Sequence, residues 1–345
     1  MKDPIPTSEC RIERFNVSDG ELVACRIWAG QTVQSQRQPD KGGGPPAENV
    51  RNPVLLYLHG IEGHSEWFAR TAAVLSQCGI TVYAPDRRGA GLNAANRGHL
   101  SSYKRYLADI ETVLKVIGRD HDGCPLIVMG NCWGAKAAVV ISSQKYHPIE
   151  APLNLKVAGL VLTSPAIHTK ADLDWKKKLQ IAIACALRGK RELKQIPIPL
   201  TEEMFTNEPF FLEYIRSDTM RLTAASCRFY FETFMLTRAC LRASQHLNLP
   251  LFTIQSGRDA VVDSTKVIAW HNRLNCRDKR LRVFESAAHS IDFETAEFDT
   301  YTDELKNWLL SFSDTSCSDG QSLVGGRSPW SAKSHSPISS STLTQ

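Results

Sequence analysis

The sequence predicts an α/β fold: a mostly parallel sheet with helices on both faces, interrupted by an inserted helical cap. Three observations lead there. Short apolar runs bounded by turn residues alternate with longer helix-like stretches, the pattern of parallel strands and their crossover helices. One of these runs ends in a Gly-x-Cys-x-Gly turn that opens a helix of small residues. The stretch 168–248 breaks the alternation, being rich in helical periodicity and poor in strand-like runs.

A chain of 345 residues, 42% hydrophobic and 22% charged, has enough apolar material for one large domain with a full core. Lys and Arg exceed Asp and Glu by only five charges, so nothing points to nucleic acid as a partner. The ten cysteines are spaced singly with no CxxC pair, which fits free thiols in a reducing compartment. Residues 1–14 are broken by Asp3, Pro4, Pro6 and Glu9 and lack the apolar centre of a signal peptide. With no long apolar run either, a cytoplasmic protein is expected. The expected division is 1–30 for the first core strands, 31–52 for a flexible Gly- and Pro-rich loop, 53–167 for the first part of the core, 168–248 for the cap, 249–312 for the second part of the core and 313–345 for a disordered Ser-rich tail.

Buried strands are expected at Val54–Leu58, Thr81–Ala84, Leu126–Met129, Val157–Leu162, Leu249–Gln255 and Leu281–Phe284. Helices are expected at Glu66–Gln77, Tyr103–Ile117, Gly134–Gln144, Ser264–Leu274 and Ala296–Phe312.

The candidate chemistry centres on Gly130-Asn131-Cys132-Trp133-Gly134, which follows a strand and precedes a helix. Such an elbow exposes a nucleophile on a strained turn, and glycines flank it because the turn leaves no room for side chains. Three further segments arrive in order around it. Leu58-His59-Gly60-Ile61 follows a strand, where a backbone N–H of Ile61 would join that of Trp133 in an oxyanion hole. Ser256-Gly257-Arg258-Asp259 delivers a carboxylate past the end of a later strand, with Asp263 as the alternative acid or a helix cap. Ala287-Ala288-His289-Ser290 carries a histidine among small neighbours after the last strand.

On these segments, together with Glu62-Gly63-His64-Ser65 and Asp86-Arg87-Arg88-Gly89-Ala90-Gly91, the sequence resembles the α/β-hydrolase superfamily over 53–312. Within it the likeness is to the monoacylglycerol lipase and lysophospholipase-like, serine aminopeptidase S33-type branch. The resemblance implies eight sheet strands, a cap over an acyl-binding pocket, and ester hydrolysis through an acyl-enzyme with no metal or other cofactor. It gives the Asp86–Gly91 turn a structural role only. The departure is Cys132, because this branch carries serine at the nucleophile.

With Cys132, His289 and Asp259 as a triad, the histidine holds the thiol's proton as the acid toward the leaving group, and the intermediate is an acyl thioester. The leading expectation is therefore an acyl hydrolase for an ester or thioester with an apolar acyl chain. A cysteine-dependent acyltransferase and an inactive hydrolase-like binding protein stand as alternatives. In the cap, Trp175–Lys190 has an apolar centre and basic ends: a membrane-surface contact is one reading, and a helix packing its apolar side on the core is the commoner one. The aromatics Phe205, Phe210, Phe211, Tyr214, Phe229, Tyr230, Phe231 and Phe234 are candidates for an acyl pocket or for plain core.

Overall fold

A computed structural model describes residues 10–31, 50–149 and 156–315; most of the loop expected over 31–52 and of the tail expected over 313–345 lies outside them. Eight strands form one sheet: β1 (Arg11–Asn16), β2 (Leu22–Trp28), β3 (Val54–Leu58), β4 (Thr81–Pro85), β5 (Leu126–Asn131), β6 (Val157–Thr163), β7 (Leu251–Ser256) and β8 (Lys279–Phe284). Their order is β1-β2-β4-β3-β5-β6-β7-β8. β2 pairs antiparallel with both β1 and β4, and every other contact in the sheet is parallel. This is the fold class the alternating pattern predicts, with the two N-terminal strands as its antiparallel edge.

The central strands are apolar on both faces because helices cover both. Val54, Leu56 and Leu58 of β3 point into one core, shared with α2 (Tyr103–Asp120), α3 (Gly134–Ile141) and α7 (Ser264–Arg273). Leu55 and Tyr57 point into the other, shared with α1 (Ala69–Gln77) and α8 (Phe298–Leu310). The two-residue period of β3 thus divides one apolar run between two cores. β8 departs from expectation: as the edge strand it alternates exposed and half-buried residues rather than being buried throughout. α1 also starts later than the sequence predicts, its first turn Ser65–Phe68 being a 3₁₀ turn. Asp314–Thr315, expected in the tail, pair antiparallel with Val50–Arg51.

Between β6 and β7 the chain forms α4 (Trp175–Leu187), α5 (Pro209–Ser217) and α6 (Cys227–Ser244). Side-chain oxygens of Asp174 and Ser226 accept the N–H groups of Lys177 and Phe229 at the starts of α4 and α6. Sequence patterning missed a short antiparallel ribbon here, Gln195–Pro197 against Ala224–Ser226. Three-residue strands containing proline carry too little periodicity to register. Among the described residues no helix is long and apolar enough to cross a membrane.

The turn from β5 into α3 is where the fold presents its reactive group. A Cβ on Gly134 would overlap the Leu58 carbonyl and stand 2.6 Å from the His59 carbonyl oxygen; one on Gly130 would stand 2.7 Å from the Ala138 Cβ. Neither glycine has space for a side chain, since α3 starts directly against the ends of β5 and β3. Gly134→Ala should destabilise the protein by about 1–3 kcal/mol, the usual cost of overpacking a rigid contact. Urea denaturation checks this, and a midpoint equal to that of the unaltered protein would contradict it.

Candidate active site

The same turn forces Cys132 to φ +50°, a left-handed conformation that a residue with a side chain adopts only when its surroundings impose it. Its N–H donates to the Thr163 carbonyl at 2.9 Å and its carbonyl accepts from Ala166 N–H at 3.0 Å, so neighbouring β6 and the loop after it hold the turn. Cys132 is buried but borders two cavities.

Asp259 sits just past β7. Its Oδ1 accepts the N–H groups of Val261 and Val262 at 2.9 and 2.7 Å, and its Oδ2 accepts His289 Nδ1–H at 2.8 Å. Gln255 Nε2 adds a 3.2 Å bond to Oδ2. The alternative acid, Asp263, instead caps α7, accepting Lys266 N–H at 3.1 Å. The structure therefore brings Asp259 to His289 and leaves Asp263 at the helix end.

His289 is buried, and its Nε2 has no hydrogen-bond partner; it lies on the wall of a cavity that Cys132 also lines. Burial acts to lower its pKa, but the charge of Asp259, then the nearby Cys132 and the hydrogen bond to Asp259, lift it well above 6.5. Asp259 is pushed up by burial, and His289 with the two backbone N–H donors more than reverses this, leaving the carboxyl below its ordinary range.

The Ile61 and Trp133 backbone N–H groups have no acceptor among the described residues. The loop carrying Ile61 is fixed from several sides. His59 donates from Nδ1 to the Gly60 carbonyl at 2.8 Å and accepts Arg87 N–H at Nε2 at 2.9 Å. Burial, reinforced by Arg87, drives His59 down to about 3, so the ring is a neutral brace. Glu62 accepts from Arg221 Nε at 2.7 Å, and its backbone carbonyl accepts Leu222 N–H, tying the loop to the segment between α5 and α6. Burial raises Glu62 to about 7 against the pull of Arg221.

Sequence reasoning gave the Asp86–Gly91 turn a structural role, and Asp86 fits one, accepting from Ser65 N–H and Leu92 N–H. Arg87 is the residue that reading passed over. It is 2% exposed and lies 4.8 Å over the Trp133 ring and 4.9 Å over Phe229. Nη2 donates to the Ile61 carbonyl at 3.2 Å, while Nε and Nη1 have no partner. A cation thus touches both residues whose N–H groups stand free. Of two adjacent arginines, Arg88 takes the carboxylates of Asp19, Glu21 and Asp109; sequence alone does not say which of the pair turns inward.

The cavity with His289 and Phe205 is small, about 20 Å³. The other, about 120 Å³, is lined by Ile61, Trp133, Lys136, Leu173 and Tyr230 beside Cys132. Of the candidate pocket aromatics, Phe205 and Tyr230 border these cavities, Phe211 and Phe229 are core, and Phe210 and Phe234 face outward. A larger cavity of about 630 Å³ lies away from Cys132, among residues such as Leu114, Leu126 and Tyr146. Among the described residues no cluster of His, Cys, Asp or Glu has the arrangement to hold a metal ion.

Residues 50–296 match the family model of serine aminopeptidase S33. Phospholipase YtpA of Bacillus subtilis is 24% identical over 252 residues, covering 72% of this chain and 92% of that protein. Human monoglyceride lipase is 21% identical over 295 residues, covering 85% and 88%. The crystal structure of a soluble variant of monoglyceride lipase from Saccharomyces cerevisiae, in complex with a substrate analog, superposes with a TM-score of 0.72 over 90% of this chain and 98% of that one, at 22% identity. At that identity the superposition speaks for the fold.

A histidine raised on folding stabilises the protein at pH below about 6.5, and that stabilisation is lost as pH rises through the folded value. Asp259→Asn removes the largest influence that raises it. The His289 ring, followed by NMR, should then titrate at lower pH, and the variant should lose stability most on the acid side of neutrality. A titration unmoved by Asp259→Asn would show that the carboxylate does not set the charge of the ring.

Proposed function

The chain belongs to the serine aminopeptidase S33 family and is an α/β-hydrolase acting on ester bonds, and from that premise we propose that it works through a Cys132-His289-Asp259 triad and an acyl-thioester intermediate. The observation that carries this reading is His289 itself: Asp259 fixes its Nδ1–H, and its Nε2 is left free on a cavity wall shared with a cysteine in strained backbone.

The chemistry follows from the placement. Cys132 Sγ attacks the acyl carbonyl carbon, and the negative charge on the carbonyl oxygen is taken by the Ile61 and Trp133 N–H groups. When the tetrahedral species collapses, the bond to the leaving group breaks and His289 Nε2 delivers its proton there. Water then attacks the thioester, gives a proton to Nε2, and the carbon–sulfur bond breaks to release the acid. The relatives' names, a phospholipase and monoglyceride lipases, support a lipid or other acyl ester as substrate.

The cap adds a reading of where such a substrate is met. α4 packs Ile181 and Ala184 against Leu173, Ile196 and Cys227, while Trp175, Leu179, Ile183 and Leu187, one helical turn apart, are 69%, 52%, 50% and 57% exposed. Only Ile181 and Ala184 of this helix are buried. Lys176, Arg191 and Lys194 border the stripe. An exposed apolar stripe beside cations suits the headgroup region of an anionic bilayer.

Incubation with p-nitrophenyl butyrate should add an acyl mass to Cys132, and Cys132→Ala should abolish the adduct and lower turnover at least a thousandfold, as loss of a nucleophile does. An adduct on another residue, or turnover surviving Cys132→Ala, refutes the triad. The double variant Leu179→Asp, Ile183→Asp should lose most of its binding to phosphatidylglycerol vesicles and the accompanying blue shift of Trp175 fluorescence. Equal vesicle binding by both proteins removes the membrane reading and leaves the triad untouched.

A further inference from the structure

α3 carries one charge in an otherwise apolar sequence, Gly-Ala-Lys-Ala-Ala-Val-Val-Ile, and every residue of it is buried. That charge is Lys136, one turn beyond Cys132 and 5% exposed. Its ammonium makes no ion pair or hydrogen bond among the described residues, although it lines the 120 Å³ cavity next to Cys132. Asp172 borders the same cavity, but its carboxylate is paired with Lys178. The ionisable neighbours that bear on Lys136 are the thiols of Cys240 and Cys132; burial outweighs them and holds the amine below its ordinary range. A buried cation without a counter-ion is costly, so a fold that keeps one beside its reactive centre leaves an anion's place open.

The position within the site says which part of a substrate reaches it. His289 must protonate the leaving group, so the leaving group lies on the His289 side of Cys132, and the cavity on the other side takes the acyl part. At about 120 Å³ that cavity is well below the roughly 300–1,000 Å³ of sites for drug-sized ligands. A long chain does not fit within it; a short one does.

We propose that Lys136 is a specificity residue that binds a carboxylate on a short acyl group, so that the preferred substrates are half-esters or half-thioesters of small dicarboxylic acids. The inference rests on Cys132 being the acylated residue. It refines the substrate class, since a plain apolar acyl chain would leave the ammonium buried and unpaired.

Two N-acetylcysteamine thioesters test it, the succinyl and the 4-methylpentanoyl, which have equal numbers of heavy atoms and differ by carboxylate against isopropyl. The unaltered enzyme should show the higher kcat/KM with the succinyl thioester, and Lys136→Met should lower the succinyl to 4-methylpentanoyl ratio by roughly a hundredfold, the scale of losing one partner of a buried charge pair. No preference in the unaltered enzyme, or a ratio unchanged by Lys136→Met, overturns the proposal. Free succinate provides a readout independent of turnover: it should protect Cys132 from iodoacetamide, and Lys136→Met should lose that protection while remaining labelled. If neither thioester acylates Cys132 yet protection is seen, the hydrolase mechanism fails and the anion site stands. Absence of protection in the unaltered enzyme rejects the anion site, whatever the turnover.

Discussion

The contact between the first turn of α3 and the end of β3 is the constraint on which the rest of the site depends. Gly134 lies against the Leu58 and His59 carbonyls, so the chain must leave β5 and enter α3 within two residues. That compression puts Cys132 at φ +50° and turns its side chain between two cavities. It also fixes Trp133, whose indole N–H donates to Thr233 of α6 at 3.0 Å and whose ring packs against Phe229 and Tyr106. The cap segment is therefore held by the residue next to the nucleophile position, and the strained turn and the cap support one another.

Electrostatics around the turn follow a division of labour among buried groups. Asp259 and His289 form a pair whose attraction, with the Val261 and Val262 N–H groups on one side and Cys132 on the other, outweighs the desolvation of each. His59 is buried with backbone groups at both ring nitrogens and stays neutral, so it braces the loop across the whole range in which His289 changes charge. Glu62 and Arg221 hold that loop from the cap side. Arg87 and Lys136, both without a carboxylate partner among the described residues, lie on different sides of the same residues: one behind Trp133 and Ile61, one facing the cavity.

The strands and helices of the core were legible because burial on both faces writes continuous apolar runs, and because β5, the elbow and α3 have a signature that turn chemistry enforces. Asp259 and His289 were legible as loop residues after strands, in an order the fold dictates; their 2.8 Å bond was not, since it depends on how two loops separated by 30 positions meet. Which side of α4 faces outward was not legible. Periodicity identifies a stripe but does not say whether the stripe meets a core, and here the helix is held by Ile181 and Ala184 instead. Lys136 had a signal that went unused: a lone charge inside a run of small apolar residues. Arg87 had none, because Asp-Arg-Arg-Gly reads the same whichever arginine is inside. The Gln195–Pro197 ribbon was too short for any period to show.

Arg87, Trp133 and Phe229 form a stack in which an arginine has aromatic faces where a carboxylate would otherwise be. Such a group cannot be assembled one member at a time. A guanidinium buried before its aromatic neighbours are present keeps only its bond to the Ile61 carbonyl, and aromatics without it leave a void in a packed interior. The three positions, drawn from a strand-to-loop turn, the elbow and the cap, are thus expected to be inherited together. Exchange of a cap or an elbow with a related hydrolase would bring a mismatch at this stack, so the cap of this protein is physically matched to its core and not a freely interchangeable module.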